Sequence, residues 1–223
     1  MGILAIEFDA TTASSSDEGV LQSNAVEVVL SACSSLIEVV IGDGGQIVQF
    51  SHASVQEFLT SDRLVTPDER LSCYHILPEP AHTLLARACL GVLRLDDKID
   101  KNAIGRFPLA PYAARHWVDH AQFGNVAAHI REIMERLFDP AKPHFAAWVW
   151  LYDIDHSWIK PMSTTHPTPP EAVPLYYATL SGFHGLVEHL IAAGPEHVNR
   201  RGGFHTTPLH ASQGTFRRRI AAP

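Results

Sequence analysis

The chain repeats itself once near its C-terminal end: Pro174-Leu175-Tyr176-Tyr177-Ala178 returns as Pro208-Leu209-His210-Ala211-Ser212. The offset, 208 minus 174, is 34 residues, and a period between about 20 and 50 residues marks a stacked-repeat architecture. Between the copies lie a short apolar helix pattern, Gly182, a second helix pattern through Val187, Leu190 and Ile191, and then Gly194 and Asn199. The second copy is cut short. After Gln213-Gly214 the chain reads Thr215-Phe216-Arg217-Arg218-Arg219-Ile220 and stops at Pro223, before a second helix can form. A stacking unit buries its apolar face against neighbours and usually needs at least about three of them. The pattern therefore predicts a piece of a larger assembly.

Bulk composition narrows the function classes. The 223 residues are 46% apolar, enough for one or two domains of about 100 to 200 residues each. The formal charge is -7, and no basic stretch is longer than Arg217 to Arg219, which argues against binding nucleic acid by phosphate neutralisation. Cys33, Cys73 and Cys89 are odd in number and have no CxxC spacing, so they read as buried thiols of a reducing compartment. The apolar run Ile3 to Phe8 is too short for a signal peptide and lacks a preceding positive charge. No stretch approaches the roughly 20 apolar residues of a membrane span. The expected location is cytoplasmic, with the nucleus as the other reducing compartment. Met1-Gly2 suggests myristoylation, but Ile6 stands where that signal wants Ser or Thr.

Periodicity orders the elements. Val26, Val29, Leu30, Cys33 and Leu36 predict a helix over Ala25 to Leu36. Ile37 to Ile41 and Gln46 to Phe50 flank Gly42-Asp43-Gly44-Gly45 as a hairpin. A helix follows, capped by Ser54 with Glu57 reaching back and with Val55, Phe58 and Leu59 as its buried stripe. Helix, β-hairpin wing and helix in this order suggest a winged helix. Past Pro67 the pattern is helical, with stripes at Leu84, Leu85, Ala88, Cys89 and Val92, and at Val126, Ile130, Ile133, Met134 and Leu137. Pro108 and Pro111 fit the first turn of a helix through Tyr112, His116, Trp117 and His120. Pro140 and Pro143 end the next helix, and Phe145 to Tyr152 is too apolar to face solvent. Ser157 to Ala172, with Pro161, Pro167, Pro169 and Pro170, reads as an extended linker.

Few residues suggest chemistry. His116 and His120 lie one helical turn apart, but the segment lacks the HExxH glutamate, and zinc would want a third ligand such as His129 or Asp119. Asp153, Asp155 and His156 could form an acid/base cluster, yet alternating acids at the end of a helix more often serve as solvated caps or turn formers. No GxSxG is present, and Ser51 and Ser54 lie outside a nucleophile elbow. Gly42, Gly44 and Gly45 are not followed by Lys-Ser or Lys-Thr, so they make a hairpin turn rather than a phosphate cradle. His52 stands between a strand and a helix start, where backbone N–H groups favour anions. It can meet a phosphate or bond to neighbouring backbone.

Two resemblances add to this. The order helix, Gly182, helix, Gly194, Asn199, followed by Thr207-Pro208-Leu209-His210, resembles an ankyrin unit. The segment Phe50-Ser51-His52-Ala53-Ser54-Val55-Gln56-Glu57-Phe58-Leu59 resembles the winged-helix signature of signal-transduction ATPases of the NACHT class. By that resemblance His52 corresponds to the histidine that senses the β-phosphate of ADP on an adjacent nucleotide-binding domain. The wider stretch through His75-Ile76-Leu77, Phe107-Pro108-Leu109-Ala110, His116-Trp117-Val118-Asp119-His120 and Phe145-Ala146-Ala147-Trp148 resembles the region after the NACHT core of fungal NACHT and ankyrin-repeat proteins. That winged helix is also described by its similarity to one in GPI inositol-deacylase-like proteins, which implies no deacylase activity. The chain departs from the pattern in several places. The nucleotide-binding core should precede Ile3, whereas Ile3-Leu4-Ala5-Ile6-Glu7-Phe8-Asp9 resembles the interior of such proteins. Thr207 can cap the second unit, while Val173 cannot cap the first. Tyr176 replaces the histidine that, like His210, ties ankyrin repeats together, and the Thr-Phe-Arg-Arg-Arg ending has no family counterpart.

The expected fold is mainly α with a small β-hairpin. Residues 1–66 are expected as a winged helix, 67–156 as a helical spacer, 157–172 as a proline-rich linker and 173–223 as one ankyrin unit and an incomplete second. The expected function is non-enzymatic protein–protein contact in a fragment or truncated relative of a NACHT-ankyrin signalling protein, with a NACHT core or parent-like protein as partner. No cofactor, metal, nucleic acid or membrane is expected. The contact residues are Pro174, Leu175, Gly182, Gly194, Asn199, Thr207, Pro208, Leu209 and His210, with His52 as nucleotide sensor. The alternatives are a zinc enzyme built on His116 and His120, and a DNA-binding winged helix.

Overall fold

The computed structural model describes residues 35–42, 45–65, 68–94, 109–156 and 164–213, with Ser31, Cys33 and Phe107. It is mainly helical with one small antiparallel sheet, and the chain divides into two compact units, Met1–Ala81 and His82–Pro223.

In the first unit, Ser31 and Cys33 are helical, and the rest of the helix expected over Ala25 to Leu36 lies largely outside the described residues. Leu36 already sits in a turn, its N–H on Cys33 O at 2.8 Å. The hairpin forms as expected but is tighter. Strand β1 (Ile37–Gly42) pairs with β2 (Gly45–Phe50) in a register that sets Gly42 opposite Gly45, which leaves residues 43 and 44 to connect the strands. An Asp-Gly pair suits such a two-residue connection.

The next helix, Ala53–Leu59, differs from expectation at its start and on its face. His52 is the N-cap, its Nδ1 accepting the Ser54 N–H at 3.1 Å, so Ser54 is not the cap. His52 has the extended φ of -151° and ψ of 145° of an N-cap, and its ring reaches forward to the Ser54 amide, while the Ser54 hydroxyl lies 2.8 Å from the same Nδ1. The expected stripe is not buried either. Phe58 is 48% exposed, and Ile37 and Leu64 are the buried apolar residues of this unit among those described. A helix of two turns has too short a face to enclose Val55, Phe58 and Leu59 together. A single 3-10 turn, Asp62–Leu64, and a one-turn helix, Glu69–Ser72, follow.

The second unit holds a continuous apolar core contributed by helices Pro78–Val92, Ala110–Ala121, Val126–His129, Arg131–Leu137, His144–Leu151, Pro174–Ser181 and His184–Ala193. Its centre is aromatic. Trp117 is stacked on Phe183 at 5.5 Å and meets Trp148 edge-on at 5.1 Å, and Trp148 Nε1 donates to Ala114 O at 3.0 Å. Truncating a buried tryptophan of this kind costs about 3 to 5 kcal/mol.

The stripe on Pro78–Val92 is rotated from the expected one. Ala86, Cys89, Leu90 and the following Leu93 are buried, whereas Leu84 is 47% exposed and Ala88 is exposed. Positions 86, 89, 90 and 93 keep the spacing of three and four, and this helix is apolar on both candidate faces. The Val126–Leu137 stripe holds, with Val126, Ile130, Met134 and Leu137 buried, but the helix breaks in two at Ile130 (φ -115°). Pro111 lies in the first turn of Ala110–Ala121 as expected, while Pro108 is outside the described residues. The described part of the proline-rich stretch, 164–172, has no helix or strand. It is held to the core at its start, where Trp150 Nε1 donates to Thr164 Oγ1 at 3.0 Å, and at its end by Ala172, 4% exposed.

Candidate functional site

The repeat residues fall into an ordered helix–turn–helix. Pro174 opens the Pro174–Ser181 helix, where its missing N–H costs nothing, and Leu175 is buried. Gly182 ends it in the left-handed region (φ 74°), its N–H on Ala178 O and Thr179 O. His184–Ala193 follows and ends at Gly194, whose N–H donates to Leu190 O at 3.0 Å. Asn199 is exposed in the turn that follows. One period on, Thr207 caps a helix over 208–213. Its Oγ1 accepts the His210 N–H at 3.3 Å and lies 2.9 Å from His210 Nδ1. Pro208 is buried and Leu209 is 72% exposed. At the matching position 34 residues earlier, Val173 makes no side-chain cap bond.

Tyr176, the counterpart of His210, belongs to a polar cluster that sequence reasoning missed. Its hydroxyl donates to Asp155 Oδ1 at 2.7 Å and accepts the His205 N–H at 3.0 Å. Asp155 Oδ2 accepts the Phe204 N–H at 2.7 Å, and Asp155 is 2% exposed. Asp153 stands beside it, accepting from Tyr177 Oη at 3.1 Å and from the Asp155 N–H at 2.9 Å, with His156 Nδ1 at 3.1 Å. Asp155 is therefore not a solvated turn former. It is a buried carboxylate whose oxygens are filled by a phenol and an amide, a structural tie rather than a general base. Burial first, and then the neighbouring aspartates, push both tyrosine hydroxyls up, so they remain donors. Gly203 (φ 73°) closes the cluster. A Cβ there would lie 2.6 Å from Tyr176 Cζ and 2.8 Å from Asp155 Oδ2.

His116 and His120, one helical turn apart, turn to different partners. His116 Nδ1 is 3.1 Å from Asp119 Oδ2 at the surface. His120 is buried, with Nδ1 at 3.0 Å from His82 Nδ1 and Nε2 at 3.3 Å from Tyr112 Oη. Among the described residues no group of three or more His, Cys, Asp or Glu could hold a metal ion. His52, in the first unit, is exposed and its Nδ1 is taken by the Ser54 cap. No described helix is long and apolar enough to cross a membrane.

No family model matches the chain, and no solved structure matches it. A protein described as azaphilone pigments biosynthesis cluster protein L, from Monascus ruber, is similar: 29% identical over 203 residues, which cover 82% of this chain and 42% of that protein. The chain thus spans about two fifths of that relative's length.

Proposed function

We propose that this chain is a non-enzymatic protein–protein interaction module of a NACHT-ankyrin type signalling protein, made of a winged helix, a helical spacer and the beginning of an ankyrin array. The observation that supports it most is the Thr207 to His210 pairing at the start of a helix, 34 residues after the Pro174 helix start. A capping hydroxyl bonded to both the amide and the ring of the residue three places on fixes how one unit presents its first helix to the next. Exposed Leu209 then offers apolar surface for a neighbour.

His52 fits the nucleotide-sensing role implied by the resemblance. Because Nδ1 accepts the Ser54 N–H, the proton of the neutral ring sits on Nε2, and among the described residues Nε2 has no partner. An outward N–H donor is what a phosphate oxygen requires.

The test is co-purification of the full chain with a NACHT-class nucleotide-binding core, in ADP and without nucleotide. Retention in ADP that weakens in His52→Ala supports the reading. No retention in either condition ends it.

A further inference from the structure

His82 and His120 meet through like nitrogens. His82 stands on Pro78–Val92 and His120 on Ala110–Ala121, with their Nδ1 atoms 3.0 Å apart. An imidazole nitrogen is a donor or an acceptor according to whether it carries a proton, so this contact holds one proton between the rings and has no room for two. The other nitrogen of His120 is engaged by Tyr112 Oη at 3.3 Å, and the residue is 2% exposed. The ring of His82 lies flat on Phe123, centroids 4.1 Å apart and planes 10° apart. Both imidazoles are thereby fixed in orientation and cannot turn away from each other without breaking a contact.

With both rings neutral, one Nδ1–H donates to the other Nδ1. With one added proton, a charged His82 still donates to a neutral His120, whose Nε2–H then donates to Tyr112 Oη. A second proton sets N–H against N–H and places two positive charges in contact within an apolar site, where an unpaired charge is costly. We propose that the His82 and His120 pair is an acid-operated latch, closed with one proton shared between the rings and opened, releasing residues 82–93 from the Ala110–Ala121 helix, when both rings are charged.

The groups around the pair offset that charge only in part. On Ala110–Ala121, Asp119 favours a charged His120, but it is exposed and turned to His116 at 3.1 Å, and the neighbouring His116 acts the other way. Tyr112 and Cys89 stay neutral across the acid range, because burial raises both. Burial, followed by the neighbouring His82, holds His120 down at about 4, and burial lowers His82 as well.

Hydrogen exchange of the full chain, followed by mass spectrometry from pH 7 into acid and corrected for intrinsic exchange, tests the latch. Segments 82–93 and 110–121 should lose protection at higher pH than segment 174–193. His82→Phe, which keeps a ring on Phe123 but removes its charge, should delay that loss until the whole unit opens. His120→Gln, which cannot titrate, should do the same. Simultaneous loss across the unit in the unaltered protein, or early loss that persists in either variant, overturns the proposal. If a variant lacks native near-ultraviolet dichroism at pH 7, imidazole nitrogen resonances of the unaltered chain decide. Two rings titrating independently near the ordinary value of 6.5 overturn the latch, and a first proton shared with a suppressed second supports it.

Discussion

The phenol of Tyr176 donates to the carboxylate of Asp155 at 2.7 Å, across 21 residues of chain. Asp155 follows the His144–Leu151 helix, and Tyr176 lies in the Pro174–Ser181 helix. The same carboxylate reaches the Phe204 amide 49 residues away. One buried acid therefore ties the Pro174–Ser181 helix and the loop at Phe204 to the chain that follows the His144–Leu151 helix. The tie is reinforced at the surface, where Gln122 Nε2 donates to Ser181 O at 2.7 Å and Glu135 accepts from Arg131 at 2.8 Å with His189 at 3.4 Å.

Removing Asp155 takes the acceptor from the Tyr176 hydroxyl and from the Phe204 N–H, and each buried group that loses its partner costs about 1 to 3 kcal/mol. Asp155→Ala should therefore lower stability by about 3 kcal/mol or more, and Tyr176→Phe by about 1 to 2 kcal/mol. The double variant should lose less than the sum of the two by at least about 0.5 kcal/mol, since both singles break the same bond. Urea unfolding followed by tryptophan fluorescence measures all three, and strict additivity would mean that the two groups act independently.

Gly203→Ala should be more damaging than Gly182→Ala. Both positions have positive φ, worth about 1 to 2 kcal/mol against a residue with a Cβ. At Gly203 the new methyl also collides with Tyr176 and Asp155, two side chains held by their own bonds. Thermal unfolding of the two variants should separate them clearly, and equal losses would show that the 203–206 loop moves aside at no cost.

Local signals were legible where a single answer satisfied them. The hairpin, the first-turn Pro111 and the stripe at Val126, Ile130, Met134 and Leu137 follow from turn chemistry and period, and tertiary packing agrees with them. The buried face of Pro78–Val92 was not legible, because Leu84, Leu85 and Ala88 on one side and Ala86, Leu90 and Leu93 on the other are all apolar. The choice is made by what packs against them. The cap at His52 was hidden for another reason, since either His52 or Ser54 could serve and backbone direction decides. Nothing local marked Asp155 as buried, because its partners lie 21 and 49 residues away. A buried role shows in the sequence only as an acid next to a tryptophan-rich helix.

Stability should fall on mild acidification. His120 in the folded protein is held at about 4, by burial first, against 6.5 when unfolded. Between these values the unfolded chain binds more protons, so the stabilisation is complete above pH 6.5 and is lost as pH falls towards 4. A difference of this size corresponds to about 3 kcal/mol, at about 1.4 kcal/mol per pH unit. Urea midpoints from pH 7 to pH 4 should decline in the unaltered protein and decline less in His120→Gln.

The thiols should separate by burial. Cys89 is 5% exposed and burial pushes its thiol up to about 11, so the reactive thiolate is scarce at pH 8. Cys73 is exposed. A maleimide should modify Cys73 in the native protein and reach Cys89 only after unfolding, as mapped by peptide mass. Rapid native labelling of Cys89 would mean that the Pro78–Val92 helix opens readily.

The two helix starts differ by one hydroxyl, and that difference can be measured. Thr207 bonds the His210 amide and ring, so Thr207→Val should fray the 208–213 helix and cost about 1 kcal/mol locally. Val173 has the extended φ of -72° and ψ of 159° that a cap requires but no side-chain acceptor. Val173→Thr keeps the shape and supplies one, so it should gain up to about 1 kcal/mol, reduced by the apolar contact that Val173 makes with the core. Amide exchange at Leu175 and Tyr176, the second and third helical positions that a threonine cap would protect, distinguishes the outcomes. Slower exchange with a raised midpoint means that the cap outweighs the lost packing, whereas unchanged exchange with a lowered midpoint means that the valine methyl was worth more than the missing bond.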